Sequence, residues 1–327
     1  MLTPDDVGHR VVVRRIVGIR DDRPLYTDAI GELTELTETD LTLATARGPL
    51  RVPLRDVHRA KRVPARRRPT RDQVVALELA ANEAWPAPEQ ERLGEWLLRA
   101  ADGWTGRGNS ALPVGDPGLP LGEAVDAVER WYAARGQRPM INVPLPLASA
   151  VNAELDARGW SVSPAVLVQT APLGAILDAT ADRTDVPTVR LEEAPSPRWL
   201  ALAAGRKGSP PGAARHLLTA VREVRFAHVY AESVRHDLLA AARGTVTGGG
   251  RWLGLALVEV VPAARRQGLA RHAIRGLTGW ALGLGATDAF LQVEDVNAEA
   301  VDLYRRLGFK THHRYVTRTA PARGVVA

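Results

Sequence analysis

The sequence predicts a mixed α/β (α+β) chain in which two related halves, the first of them degenerate, follow a small β-barrel. Three observations predict it. An apolar, β-branched run, Leu253–Val261, leads through a short loop into an amphipathic segment at 269–284. Short strand-like runs crowd residues 1–63. Sliding the chain by 149 residues places Trp131 on Trp280, Gly136 on Gly285, Gly159-Trp160 on Gly308-Phe309 and Thr170-Ala171-Pro172 on Thr319-Ala320-Pro321 without a gap, as a repeated unit would.

The elements follow in order. In 1–63, runs at Arg10–Val17, Tyr26–Leu33, Leu41–Thr45 and Leu50–Leu54 are separated by the turns Asp21-Asp22-Arg23-Pro24 and Arg47-Gly48-Pro49, which favours a barrel of short strands. Residues 64–71 are a basic, Pro-punctuated linker. The first half, 72–172, reads as helix 72–84, strand 95–101, a Gly/Pro-rich stretch, helix 121–135, strand 140–145, helix 148–158 and strand 162–171. The second half, 173–321, opens with strand 188–191 and helices at 198–204 and 212–220 around a flexible loop, 205–212. Strands at 224–230 and 238–246 lead through Gly248-Gly249-Gly250 into the central strand, and 322–327 is expected to be a disordered tail.

Composition removes whole classes of chemistry. Zero cysteines exclude disulfides, thiolate nucleophiles and a cysteine-borne acyl intermediate. The eight histidines form no helical pair with a glutamate, and the adjacent His312 and His313 are expected on opposite faces of a strand, so no metal is expected. No apolar run reaches membrane-spanning length and no signal segment opens the chain, which predicts a soluble, cytoplasmic protein without membrane contact. Net charge is +6, carried almost wholly by arginine, since there are only three lysines. The surplus concentrates at Arg51–Arg71, nine basic residues against Asp56 alone. A solvated connector is the favoured reading there, with nucleic acid a less favoured partner.

The loop between the central strand and the following helix carries the chemistry. Amides at a helix N-terminus lack intrahelical acceptors, and the macrodipole makes the place electropositive, so phosphate is the natural guest. Gly268 and Ala270 allow close approach, while Arg265 and Arg266 add forked donors. The pattern is neither the Rossmann fingerprint nor the P-loop, so the phosphates belong to another ligand. The matching place in the first half reads Asp116-Pro117-Gly118-Leu119-Pro120-Leu121, with an acid and two prolines that repel phosphate, and Leu155 stands where Tyr304 stands.

Val260-Val261-Pro262 followed by Arg265-x-x-Gly268-x-Ala270 resembles the acetyl-coenzyme A pyrophosphate loop of the GNAT superfamily of N-acetyltransferases. Asn297-x-x-Ala300-x-x-Leu303-Tyr304-x-x-x-Gly308-Phe309 resembles the superfamily's second signature. The resemblance covers 173–321, implies tandem GNAT-like domains, and extends more softly to an SH3-like module at 1–63. Such modules occur in an actinobacterial group described as histone acetyltransferase-like.

The resemblance implies acetyl-CoA as acyl donor and a primary amine, on a protein or a small molecule, as acceptor. It places the donor against the backbone of Val258 and Val260, the loop Arg265, Arg266, Gln267, Gly268, Leu269, Ala270 and Arg271, and Asn297, within a splay between the central strand and Gln292-Val293-Glu294. Tyr304 becomes the acid for the departing thiolate, beside its plainer reading as a core aromatic. Asn297 could equally be a helix cap, and Glu259 a base or one half of an ion pair. Transfer within a ternary complex is implied. The rival expectation is a non-catalytic acetyl-CoA-binding regulator that recruits a partner through the basic N-terminal region.

Overall fold

Alternation of buried and exposed residues builds the amino-terminal unit, Met1–Arg68. In the computed structural model the described residues are 2–20, 23–45, 48–63, 68–181, 187–205, 212–231 and 237–322. The turn residues 21–22 and 46–47, most of the linker, nearly all of the 205–212 loop and the tail beyond 322 lie outside them. Strands β1 (Arg10–Arg20), β2 (Arg23–Leu36), β3 (Asp40–Thr45), β4 (Gly48–Pro53) and β5 (Val57–Arg62) pair antiparallel in the order β4-β3-β2-β1-β5. Val11, Val13, Leu33, Leu41, Leu43 and Val52 bury one face. Strand β5 is an addition to the expected elements, because its sequence, Val-His-Arg-Ala-Lys-Arg, lacks the apolar alternation that marks the others.

The second unit, Pro69–Ala327, holds the predicted helices and strands. In order they are α1 (Arg71–Glu83), β6 (Glu89–Leu93), β7 (Trp96–Ala100), α2 (Leu121–Ala133), β8 (Met140–Leu145), α3 (Ser149–Ala157), β9 (Ser161–Val162), β10 (Val166–Pro172) and α4 (Leu173–Ala179). Then come β11 (Val189–Glu192), α5 (Pro197–Ala204), α6 (Gly212–Thr219), β12 (Val224–Tyr230), β13 (Leu238–Thr247), β14 (Trp252–Val260), α7 (Leu269–Gly283), β15 (Asp288–Glu294), α8 (Ala298–Arg306) and β16 (Lys310–Thr319). Helix α4 is short and continues directly from β10, so its apolar pair Leu173 and Ile176 blends into the strand pattern.

The repeat is present in the backbone. A shift of 149 residues lays α3 on α8 end to end, β8 within β15 and α2 within α7. The halves nevertheless share one nine-stranded sheet, with the order β11-β12-β13-β14-β15-β10-β16-β8 and β9 beside β16. Each half lends its last strand to the other: β10 pairs with β15, and β16 pairs with β8. Where these strands meet, Val166 faces Tyr315, its own counterpart under the same shift, so this pair marks a pseudo-two-fold centre.

Helices α4, α7 and α8 cover one face of the sheet around Leu253, Leu255, Leu277 and Leu291. On the other face, Phe226 and Ala241 pack with Trp199, Leu217 and Leu218 from the α5 and α6 segments, and Phe290 and Val168 pack with Leu77 and Ala81 of α1. One expectation is corrected here. A bulge between Val168↔His313 and Gln169↔Thr311 makes His312 an extra residue in β16, so His312 and His313 do not diverge. Their Nδ1 atoms lie 2.8 Å apart. Among the described residues no helix is long and apolar enough to cross a membrane.

Candidate active site

Strand β14 pairs in parallel with β15 only from Trp252↔Asp288 to Leu255↔Leu291. Gly254 is needed in this stretch, since a Cβ there would lie 2.8 Å from the Phe290 ring. Beyond it the strands part. Residues 256–260 stay registered with β13 through a bulge, in which Ala256 faces Arg243 and Glu259 faces Ala241. Leu257, within that bulge, has φ +53, a left-handed conformation costing a non-glycine residue roughly 1 kcal/mol or more. On the side away from β13, no described strand pairs with 256–260, so the backbone polar groups there have no strand partner. Across the wedge, Gln292, Val293 and Glu294 pair only with β10.

The wedge leads to the start of α7. A turn at Pro262–Ala264 brings the chain to Arg266, with φ +63, and to Gly268, with φ +84 at the N-cap of this 15-residue helix. The N-cap residue offers no side chain, so it caps none of the first-turn amides at Leu269, Ala270 and Arg271. Arg265 and Arg266 are exposed, and Arg265 Nε donates to the Val260 carbonyl at 3.4 Å. Gln267 is likewise exposed at the surface of the loop. The Arg271 side chain donates instead to the Ala179 carbonyl, and Arg275 donates to Leu177 O at 2.9 Å, so both close the end of α4. Of Arg271, only the backbone faces the loop chemistry.

Asn297 is the N-cap of α8, accepting from the Ala300 N–H at 3.3 Å. Tyr304, 9% exposed, packs edge-on against Phe309 with ring centroids 5.8 Å apart, within the core that includes α7. The plainer reading of each residue is present, Asn297 as a helix cap and Tyr304 as a core aromatic.

Cross-strand pairing assigns the remaining side chains to faces. Val258 and Val260 pack with the α7 core, whereas Glu259 lies opposite Ala241, whose side chain is buried against the α5 and α6 segments. Glu259 is thus on the face away from α7. Gln292 shares the side of Phe290, and its Oε1 accepts from the Tyr315 hydroxyl at 3.2 Å.

Several polar groups on this face carried no sequence signal. Buried Arg243 donates to Ala84 O and Leu218 O, each at 2.9 Å, and to Leu217 O at 3.2 Å, placing its charge at the carbonyl ends of α1 and α6. Burial pulls it down to about 9. Glu78 of α1 lies 2.6 Å from His313 Nε2, both deeply buried. Burial and the neighbouring His313 lower His312 to about 4. Among the described residues no cluster of three or more His, Asp or Glu could hold a metal ion.

The parted strands thus open on a helix whose N-cap offers no side chain. Residues 72–317 match the family model described as "Probable histone acetyltransferase Rv0428c C-terminal". The chain is 30% identical, over 99% of its length and 98% of the relative's, to the "Probable histone acetyltransferase Rv0428c" of Mycobacterium tuberculosis. It is 28% identical, over 76% of its length and all of the relative's, to the "Uncharacterized N-acetyltransferase YobR" of Bacillus subtilis. A GCN5-related N-acetyltransferase from Kribbella flavida shares the fold, with TM-score 0.59 at 19% identity, over 77% of this chain and 96% of that one. The chain belongs to the Rv0428c C-terminal family and is a GNAT-type N-acetyltransferase.

Proposed function

We propose that the protein moves an acetyl group from acetyl-CoA directly to a primary amine, within one ternary complex. The observation that carries this reading is the end of β14–β15 pairing at Leu255↔Leu291, in front of an uncapped helix beginning after Gly268. The donor's diphosphate would take the first-turn amides from Leu269 to Arg271, with Arg265 and Arg266 adding charge. Its pantetheine arm would add to the free edge at Val258 and Val260 as a short strand. The thioester then lies beside Tyr304, whose phenol protonates the leaving thiolate. Glu259, on the opposite face, offers a carboxylate to the arriving cationic amine. The sequence has no cysteine to carry the acetyl group between two half-reactions.

The name of the mycobacterial relative favours a protein amine, a lysine or an N-terminus, over a small molecule as acceptor. The amino-terminal sheet fits an SH3-like accessory module that would hold such a partner. Release of coenzyme A thiol, followed across a panel of lysine peptides, N-terminal peptides and polyamines, tests the reading. Acetyl-CoA-dependent acetylation of at least one of these amines is expected. Tight donor binding with turnover at the hydrolysis level on every amine contradicts it.

A further inference from the structure

On the acceptor face, three ionisable side chains from distant parts of the sequence meet in a row. Glu78 Oε1 lies 2.6 Å from His313 Nε2, and His313 Nδ1 lies 2.8 Å from His312 Nδ1. Each ring nitrogen can take either role, and the row is self-consistent with Glu78 ionised and both rings neutral. A carboxylate can only accept, so His313 Nε2 carries its hydrogen and His313 Nδ1 bears the lone pair. His312 must then donate through Nδ1–H, which leaves the lone pair of its Nε2 at the end of the row. His312 is the half-buried member, whereas Glu78 and His313 are 6% and 5% exposed.

The sheet register brings this row toward the wedge. Gln292, the first residue past the last β14–β15 pair, faces Val168, and Val168 faces His313. His313 is therefore two strand spacings, about 10 Å, from Gln292 along the same face. Tyr315, on β16 as well, already spans that interval with its hydrogen bond to Gln292. The charged and titratable groups around the row are Arg99 on β7, Arg107 in the turn at Arg107–Asn109, and Tyr315.

We propose that His312, His313 and Glu78 form a proton-accepting relay that takes the proton an ammonium acceptor must lose before it attacks the thioester. The proposal rests on the acetyl-transfer reading above. The amine's proton, directly or through one water, arrives on His312 Nε2. The His312 Nδ1 proton passes to His313 Nδ1, and the His313 Nε2 proton passes to Glu78, so both rings end neutral. The amine nitrogen then bonds to the acetyl carbon as the carbon–sulfur bond breaks. Tyr304 protonates the sulfur and recovers a proton from the new amide nitrogen. Glu78 returns its proton outward through His312 once the product leaves.

The test compares two acceptors on the full chain with acetyl-CoA: a lysine peptide, an ammonium at neutral pH, and hydroxylamine, already neutral. Glu78→Gln keeps the hydrogen bond but cannot accept a proton, and His312→Phe keeps a ring of similar size. Each is expected to lower kcat/KM for the peptide about 10- to 100-fold more than for hydroxylamine. Equal losses on both acceptors, or no loss, overturn the relay while leaving acetyl transfer intact. A wild-type enzyme inert to every amine overturns the acetyl-transfer reading, and the relay with it. Independently, nitrogen-15 spectra of the free protein are expected to show His313 protonated on Nε2 and His312 on Nδ1. The reverse tautomers overturn the relay whatever the acceptor.

Discussion

Residues 111–158 and 260–307 carry the same order of elements 149 residues apart, and they differ around the loop and at the helix caps. In the second version the helix after the loop starts at Gly268 with no capping side chain. In the first, α2 likewise has no side-chain cap, but Pro120, which has no N–H, stands where Leu269 stands, and the loop before it is tied internally: Asp116 N–H donates to Glu95 Oε2 at 2.5 Å, and Gly118 N–H to Asp116 Oδ1 at 2.8 Å. Two internal carboxylates thus hold the loop ahead of α2. At the positions 149 residues apart, Asn297 caps α8 whereas Ala148 leaves α3 without a side-chain cap. Tyr304 is replaced by fully buried Leu155. The parallel strand pairing of the second half shrinks to the single bridge Ala111↔Ile141. The element order persists in both halves, and the second has a backbone N–H at Leu269 where Pro120 of the first has none.

The comparison breaks most easily at the glycines. Gly268→Val is expected to weaken acetyl-CoA binding about 100-fold or more, because a Cβ strains φ and stands between phosphate and amides. Gly118→Val, at φ +71, strains the chain similarly but should leave the affinity unchanged by calorimetry. Next comes the aromatic position. Tyr304→Phe is expected to lower kcat by about 100-fold with the donor affinity kept, the scale of a lost general acid. Leu155→Ala should instead cost about 2–5 kcal/mol of stability by denaturant titration, with KM for the donor unchanged in the folded fraction.

Two smaller effects sharpen the picture. Asn297→Ala removes the α8 cap and should cost about 1 kcal/mol, read as a shift in denaturation midpoint, whereas the counterpart Ala148 has no side-chain cap to lose. His312 is lowered to about 4 from its usual 6.5, so the unfolded chain binds the proton more readily. Its contribution is full above about pH 6.5 and declines as pH falls toward about 4, and His312→Phe should flatten that part of a melting-temperature profile.

The strands and helices around the cleft were legible because their apolar residues repeat at two or at three and four, and because Pro262 and Gly268 punctuate the loop. Partnership was not legible. Nothing in Val166–Pro172 says that it will pair with β15, a strand more than a hundred residues away, because apolar alternation marks a buried face and not a neighbour. Leu257 was hidden for a different reason. A leucine at positive φ runs against local preference and is held there by the strand register around it. The bulge at His312 and the contact of His313 with Glu78, 235 residues apart, likewise belong to the assembled sheet.

The most direct measurement is calorimetric titration of the intact protein with acetyl-CoA. The account predicts saturable binding at one site per chain, abolished by Gly268→Val and indifferent to Gly118→Val. No binding of coenzyme A or its acetyl ester, or two equivalent sites per chain, would contradict it.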